Sequence, residues 1–349
     1  MSARTIDFQY RILRNGADFC EIHPGSNGWP SIRMSDSAEI KTSMSGSFQP
    51  PKEDINWLSD EIAPMLILNG TEYALGIFRA ATVEPDQNET GISLRIEAYD
   101  RAWLARDSKL QERQYFADGT NYVEAASSLL ASSGISYISA TATNQTLAEA
   151  REDWEIGTSR LSIVNELLQE INYSNVWFDA DGLARIEPYT EVTAANIKHI
   201  IDAEDKNSFL LPGMQRSMDI YNSPNVFVAI CSNADKPDGM MAIAENQSGQ
   251  SPLSITRRGR RIVQVTRVNN IASQEELQAF VNRQLTDSLV SGETIQIKTG
   301  LMPGFGVGEV TALQYGDIFA LCRERAWTMQ LQPGGTMTHT LERQVLQIG

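Results

Sequence analysis

Two stretches of this sequence share one grammar of strand, turn and alternating strand. The closing stretch, residues 326–346, reads as a strand, a Pro333-Gly334-Gly335 turn and an alternating strand that carries Leu341-Glu342-Arg343. The earlier stretch has a strand over 73–83, a polar turn over 84–91, and alternation over 92–98 before Tyr99-Asp100-Arg101. Proline presets φ and glycine accepts positive φ, so the closing turn is specified by residue type. Alternation with a period of two places every second side chain on one sheet face. A chain that repeats one β design is expected to fold into two similar modules. Antiparallel barrels are the natural form, because closure removes unpaired edges. No catalytic constellation accompanies the repeat, which favours an assembly part over an enzyme.

Composition narrows the field further. With 349 residues, 42% of them hydrophobic, the chain can bury sizeable cores, and at roughly 100–200 residues per domain it should hold two or three. A formal charge of −15 argues against a nucleic-acid binder held by phosphate contacts, which needs a concentrated cationic face. Cys20, Cys231 and Cys322 are too scattered for a disulfide framework or a thiolate metal site. No run approaches the roughly 18 apolar residues of a membrane span, and the first residues lack an apolar signal core. The expectation is synthesis in a cytoplasm without membrane anchoring.

The fold class that follows is mainly β with an α/β part: two similar antiparallel β-barrel domains and a small α/β domain between them. Residues 1–104 form the first barrel, where an apolar strand over 62–68 stops at Asn69-Gly70, the signature of a tight hairpin turn. Residues 105–190 form the α/β domain. Val123, Ala126, Leu129 and Leu130 share one helical face, and Leu161, Val164, Leu167, Leu168 and Ile171 share another behind a Ser159 cap. A strand, Asp179-Ala180-Asp181-Gly182 turn and returning strand close it. Residues 191–349 form the second barrel, with strands over 225–231, 261–268, 294–299, 308–313 and 317–322, and an inserted helix at about 273–290 opened by a Ser273/Glu276 capping box. The polar stretch 232–254 reads as a long loop.

Each candidate site has a plainer reading. Gly304-Phe305-Gly306-Val307-Gly308 resembles a phosphate loop, but strand-like residues follow it where a helix should open, so it reads as a turn. Asp179 to Gly182 lacks the further oxygen ligands of a calcium loop. His23, His199 and His339 have no partner histidine, and His339 shares the inward alternation of Met337, Leu341 and Val345. Trp57 reads as packing within the first barrel. No cofactor or metal is expected. One basic run stands out against the acidic chain. Arg257, Arg258, Arg260 and Arg261 form a candidate subunit interface, with a solvated loop as the alternative.

At this point the residues resemble a family. Ala38-Glu39-Ile40-Lys41, Ser47-Phe48, the stretch from Ile62 to Gly70, and Ala98 to Arg101 are similar to the first barrel of tailed-bacteriophage tail-hub proteins. Trp154 to Thr158, Leu167 to Tyr173 and the hairpin from Trp177 to Gly182 resemble the α/β domain of that group. Residues 244–261, the helix over 272–289 and the strand over 334–338 resemble its second barrel. The resemblance implies a non-enzymatic structural hub of a tail tip or baseplate in the virion. It implies a homotrimeric ring whose pseudo-sixfold face docks on a hexameric tail-tube or distal tail protein. The other face would hold a spike, fibre or tail-tip protein, with DNA passing an acidic lumen. The rival expectation is a carbohydrate-active or receptor-binding β protein, either lectin-like or a glycosidase using a carboxylate pair.

Overall fold

The computed structural model describes the chain except residues 1–4, 26–27, 89–90, 206–207, 219–222, 232–238, 250, 252, 269–270, 272, 290–292 and 345–349. It opens with β1 (Ile6–Arg14) and β2 (Ala17–Ile22), then β3 (Ser31–Ser35), β4 (Thr42–Phe48), β5 (Glu61–Leu68), β6 (Thr71–Ala74), β7 (Phe78–Asn88) and β8 (Gly91–Asp100). Between β5 and β6, Asn69 and Gly70 take φ values of 50° and 83°, as the Asn-Gly turn requires. The expected strand over 73–83 is broken between β6 and β7, where Gly76 has φ 129°. The expected polar turn over 84–91 is mostly strand, because residues 84–88 stay paired with 91–95 in a projecting hairpin.

The middle of the chain holds α1 (Ala102–Asp107), α2 (Tyr122–Ser132), β9 (Ile138–Ala140), α3 (Arg160–Glu170), β10 (Trp177–Phe178) and β11 (Ala184–Ile186). Asn121 accepts from the amides of Val123 and Glu124 at the start of α2, and Ser159 accepts from Ser162 at the start of α3. The apolar stripes of α2 and α3 face each other. Leu130, Leu161, Val164, Leu167 and Leu168 are fully buried there, sharing one core with the sheet β10-β11-β9.

The last part contains β12 (Ile197–Asp202), β13 (Leu210–Met218), β14 (Val226–Cys231), β15 (Met240–Glu245), α4 (Ile255–Arg258), β16 (Val263–Val268), α5 (Gln274–Leu289), β17 (Glu293–Gly300), β18 (Val310–Tyr315), β19 (Ile318–Gln330) and β20 (Thr336–Gln344). Part of the stretch expected as a loop is therefore strand β15. Its small alternate residues Ala242 and Ala244 pack inward, and the Asn, Gly, Pro and Ser residues around this short apolar run make the whole stretch read as loop. Residues 232–238 of that stretch, and Val345, lie outside the described residues.

The architecture is mainly β, built on one large sheet, and among the described residues no barrel closes. Eleven strands run in the order β13-β17-β20-β19-β3-β4-β8-β7-β5-β1-β2, with β12, β18 and β6 attached, for 14 in all. The length of β19 explains this departure from two separate barrels. Its first half pairs with β18, and its second half passes beyond β18 and pairs with β3. A second departure concerns β14, β15 and β16, which form their own sheet under α5. Phe227, Ala229, Leu277 and Val281 are buried between that sheet and helix. The stretches of β14 and β16 read as barrel strands because periodicity alone does not say which sheet a strand joins.

Candidate assembly interface

The repeat seen in the sequence exists as a repeated ladder. In the first half the pairing runs β3-β4-β8-β7-β5-β1, and in the second it runs β13-β17-β20-β19-β18-β12. Chain order matches strand for strand. The four inner pairings are antiparallel in both copies, whereas β1 meets β5 antiparallel and β12 meets β18 parallel. A bulge fixes the alignment. The register of β7 on β8 shifts between Ala80 and Thr82, and that of β19 on β20 shifts between Glu324 and Ala326. A bulge bends its strand in a defined place, so matching bulges mark matching positions. Ala98 then corresponds to Leu341 and Asp100 to Arg343. That is one residue off the match between Tyr99-Asp100-Arg101 and Leu341-Glu342-Arg343 suggested by sequence.

The junction between the ladders is the pairing of β19 with β3, in which Trp327 faces Met34, Thr328 faces Arg33 and Met329 faces Ile32. Ile32, Met34 and Met329 are buried by it. Beside it, the Arg325 guanidinium binds Asp36 at 2.6 Å and also pairs with Glu342. Burial opposes charge on Arg325, but the two carboxylates outweigh it and raise its pKa.

The corresponding edges at the outer ends have no partner strand among the described residues. On β7 the flank beyond Arg79 is open, since β5 reaches only Arg79 and Phe78. β13, the counterpart of β3, ends the sheet, and Leu211, Gln215, Arg216 and Ser217 are exposed. Two open strand edges therefore stand where the internal junction has a joined pair.

The four arginines lie elsewhere, around α4. Arg257 Nε donates to the Gly249 carbonyl at 2.7 Å, and half-buried Arg258 donates to the Ser223 carbonyl at 2.6 Å. Arg261 pairs with Glu245. Arg260 is exposed and its side chain has no partner among the described residues. The run is thus largely a fastening of its own loop, with Arg260 the member free to reach a neighbour.

Buried polar groups form two clusters that the sequence did not assemble. His339 is fully buried, as its alternation foretold, with Nδ1 3.0 Å from Glu324 Oε2 and Nε2 3.1 Å from Thr299 Oγ1. Thr299 donates its hydroxyl proton to the Gly300 carbonyl, so Nε2 must donate to Thr299. Burial pushes the Glu324 carboxyl up. The matching positions of the first ladder, Ile96, Phe48 and Ala80, are apolar, so the polar trio is a specialisation of the second copy. Phe305 lies between His339 and His199, stacked on the latter at 3.7 Å, and His199 binds Glu309 at 2.7 Å. The glycine-rich turn that carries Phe305 leads into β18, as a turn should, with φ 94° at Gly304 and 66° at Gly308. In the second cluster, Arg151 is 2% exposed and binds Asp153, Glu166 and Glu170 at 2.7–2.8 Å.

A largely apolar cavity of about 260 Å³ lies between Phe78, Phe178, Phe305 and Trp327. Of its four carboxylates, Asp100, Asp179, Asp181 and Glu309, three hold backbone amides. Asp100 accepts from Thr42 and Ala102, Asp179 from Asp181 and Leu183, and Glu309 from Gly306. Among the described residues no group of three or more His, Cys, Asp or Glu side chains could hold a metal ion, and no helix is long and apolar enough to cross a membrane.

Solved structures place this geometry among known folds. A tail protein from Neisseria meningitidis MC58 superposes with a TM-score of 0.68 at 13% identity, covering 96% of both chains. The chain shares the fold of that tail protein. The 43 kDa tail protein of prophage MuSo2 from Shewanella oneidensis shares that fold at TM-score 0.64 and 11% identity, over 95% of this chain and 98% of that one. Prophage tail protein gp18 from Listeria monocytogenes EGD-e follows at 0.58 and 10%, over 95% and 94%. No family model matches the sequence, and no curated protein matches it. The shared fold therefore spans nearly the whole chain.

Proposed function

We propose that this chain is the structural hub of a bacteriophage tail tip or baseplate. Three copies form a ring whose pseudo-sixfold face joins a hexameric tail-tube or distal tail protein to a distal spike or fibre, with DNA passing through. The observation that carries the proposal is the repeated ladder with one joined junction and two open edges. A threefold object presents six similar modules only if each subunit supplies two. Inside one subunit, β19 of the second ladder meets β3 of the first. The equivalent contact between subunits brings β7 of one copy to β13 of the next, and three such contacts close the ring. Residues 1–104, 105–190 and 191–349 are the domains of this reading, with β14–β16 and α5 as a subdomain of the last. Arg260 faces a neighbouring subunit or partner protein. The engagement of Asp100, Asp179 and Glu309 in backbone contacts supports a non-enzymatic role. The chain is made in the host cytoplasm and resides in the virion tail.

The register of the internal junction specifies a test. Thr328 faces Arg33, and their counterparts by the bulge alignment are Glu84 and Ser217. A Glu84→Cys/Ser217→Cys double variant should form disulfides between subunits under mild oxidation, giving covalent dimers and trimers on a non-reducing gel. Only monomer under those conditions, with each single variant folded, would refute the contact.

A further inference from the structure

The geometry points to a binding site for one small tetrahedral oxyanion, inorganic phosphate or sulfate, in the polar cleft where the three parts of the chain meet. This inference is independent of the hub reading. The cleft has a volume of about 200 Å³, and its charged lining is Lys41, Arg283, Arg323 and Arg325 against Asp36 and Glu187. Both carboxylates have arginine partners. Asp36 pairs with Arg325, which also holds Glu342, and Glu187 lies 3.7 Å from Arg185.

Two buried cations lack a direct ion pair, although Asp36 and Asp100 act on Lys41 at longer range. Lys41 and Arg323 are each 4% exposed, and among the described residues neither has a carboxylate within 4.0 Å. Lys41 Nζ donates to the Asp36 carbonyl at 2.5 Å, which leaves ammonium protons to place. Arg323 donates to the carbonyls of Gly308 and Thr190, while its buried Nε has no partner. Taking an unpaired cation out of water is costly unless an anion or further hydrogen bonds accompany it. A tetrahedral oxyanion supplies both, with a charge and several acceptor oxygens for the Arg323 Nε–H and the Lys41 ammonium.

The setting suits a small ion over a polyanion. The guanidinium groups of Arg283 and Arg323 lie over the Tyr189 ring, 4.2 and 4.5 Å from its centroid. The cleft is small, and the formal charge of −15 repels nucleic acid at long range. Lys41 immediately precedes β4 of the first ladder, Tyr189 ends the α/β part, and Arg323 is on β19. A bound ion would therefore pin the three parts together.

The test is calorimetric titration of the intact protein with inorganic phosphate at low ionic strength. The expected result is saturable uptake of one ion per chain below about 10 mM, with a rise in melting temperature that sodium chloride of equal ionic strength does not reproduce. Sulfate should compete. Lys41→Gln should weaken binding at least about tenfold. Absence of saturable uptake by the unmodified protein overturns the inference whether or not the variant folds. An equal melting shift in sodium chloride also overturns it, as does a folded Lys41→Gln variant that binds phosphate as tightly as the parent.

Discussion

Asp100→Asn should change how stability depends on pH. Asp100 ends β8, is 3% exposed, and accepts from the amides of Thr42 and Ala102, each at 2.9 Å. Burial pushes its pKa up to about 7, with the two amides and Lys41 opposing the shift. In the unfolded chain the group titrates near ~3.9. Because the folded value is the higher, its contribution to stability is complete below about pH 4 and is lost as the pH rises through about 7. From pH 5 to about 7 the folded protein keeps a proton that the unfolded chain has given up. Two units at about 1.4 kcal/mol each make a loss of about 3 kcal/mol. Asparagine cannot ionise, so the variant lacks that loss. Its amide nitrogen donates where a carboxylate oxygen accepts, which leaves one backbone amide unmatched at a pH-independent cost of about 1–3 kcal/mol. Urea unfolding of both proteins at pH 5 and pH 8 separates the two effects. The stability difference should move in favour of the variant by about 3 kcal/mol between those pH values. A difference that stays constant, or moves the other way, would refute the assignment of a buried, proton-holding carboxyl.

Three further outcomes follow from the packing. Leu168→Asp should abolish folding of the helical part, because Leu168 is fully buried between α2 and α3 and the new charge has no partner. Phe280→Asp should cost less, since Phe280 is only partly buried against its core; circular dichroism melts will rank the two. Gly182→Ala should destabilise by more than Gly119→Ala. Both have left-handed φ, 72° and 75°, which costs about 1–2 kcal/mol for alanine. At Gly182 a Cβ would also meet the Ile77 side chain at 2.8 Å, whereas at Gly119 it would meet nothing within 4 Å. Equal melting shifts would contradict that contact. Arg260→Glu should preserve the fold and weaken assembly in sedimentation velocity. Charge reversal of Arg258 or Arg261 should also loosen the α4 loop, because each is tied within it.

What was legible in the sequence was local. Asn69-Gly70, the Ser159 and Ser273 caps and the inward position of His339 all follow from residue type and spacing within a few positions. The partners of His339 were not legible, because Glu324 and Thr299 lie 15 and 40 residues away. Strand β13 was hidden by Pro212 and Gly213, which suit an edge strand but read as loop. The joining of the two ladders depends on Ala326–Gln330 finding Ser31–Ser35 across the whole chain. No periodicity encodes that contact. The burial of Lys41 and Arg323 without a direct ion pair was hidden for the same reason, since burial of a cation is a property of distant segments.

The central claim is that two similar ladders per chain let three chains build a ring of six modules. Native mass measurement of the purified protein, with images of the same sample viewed end-on, tests it most directly. The account expects three chains per particle, a central opening and six similar densities around it. A monomer at assembly concentrations, or a ring whose densities do not alternate between the two ladders, would contradict it.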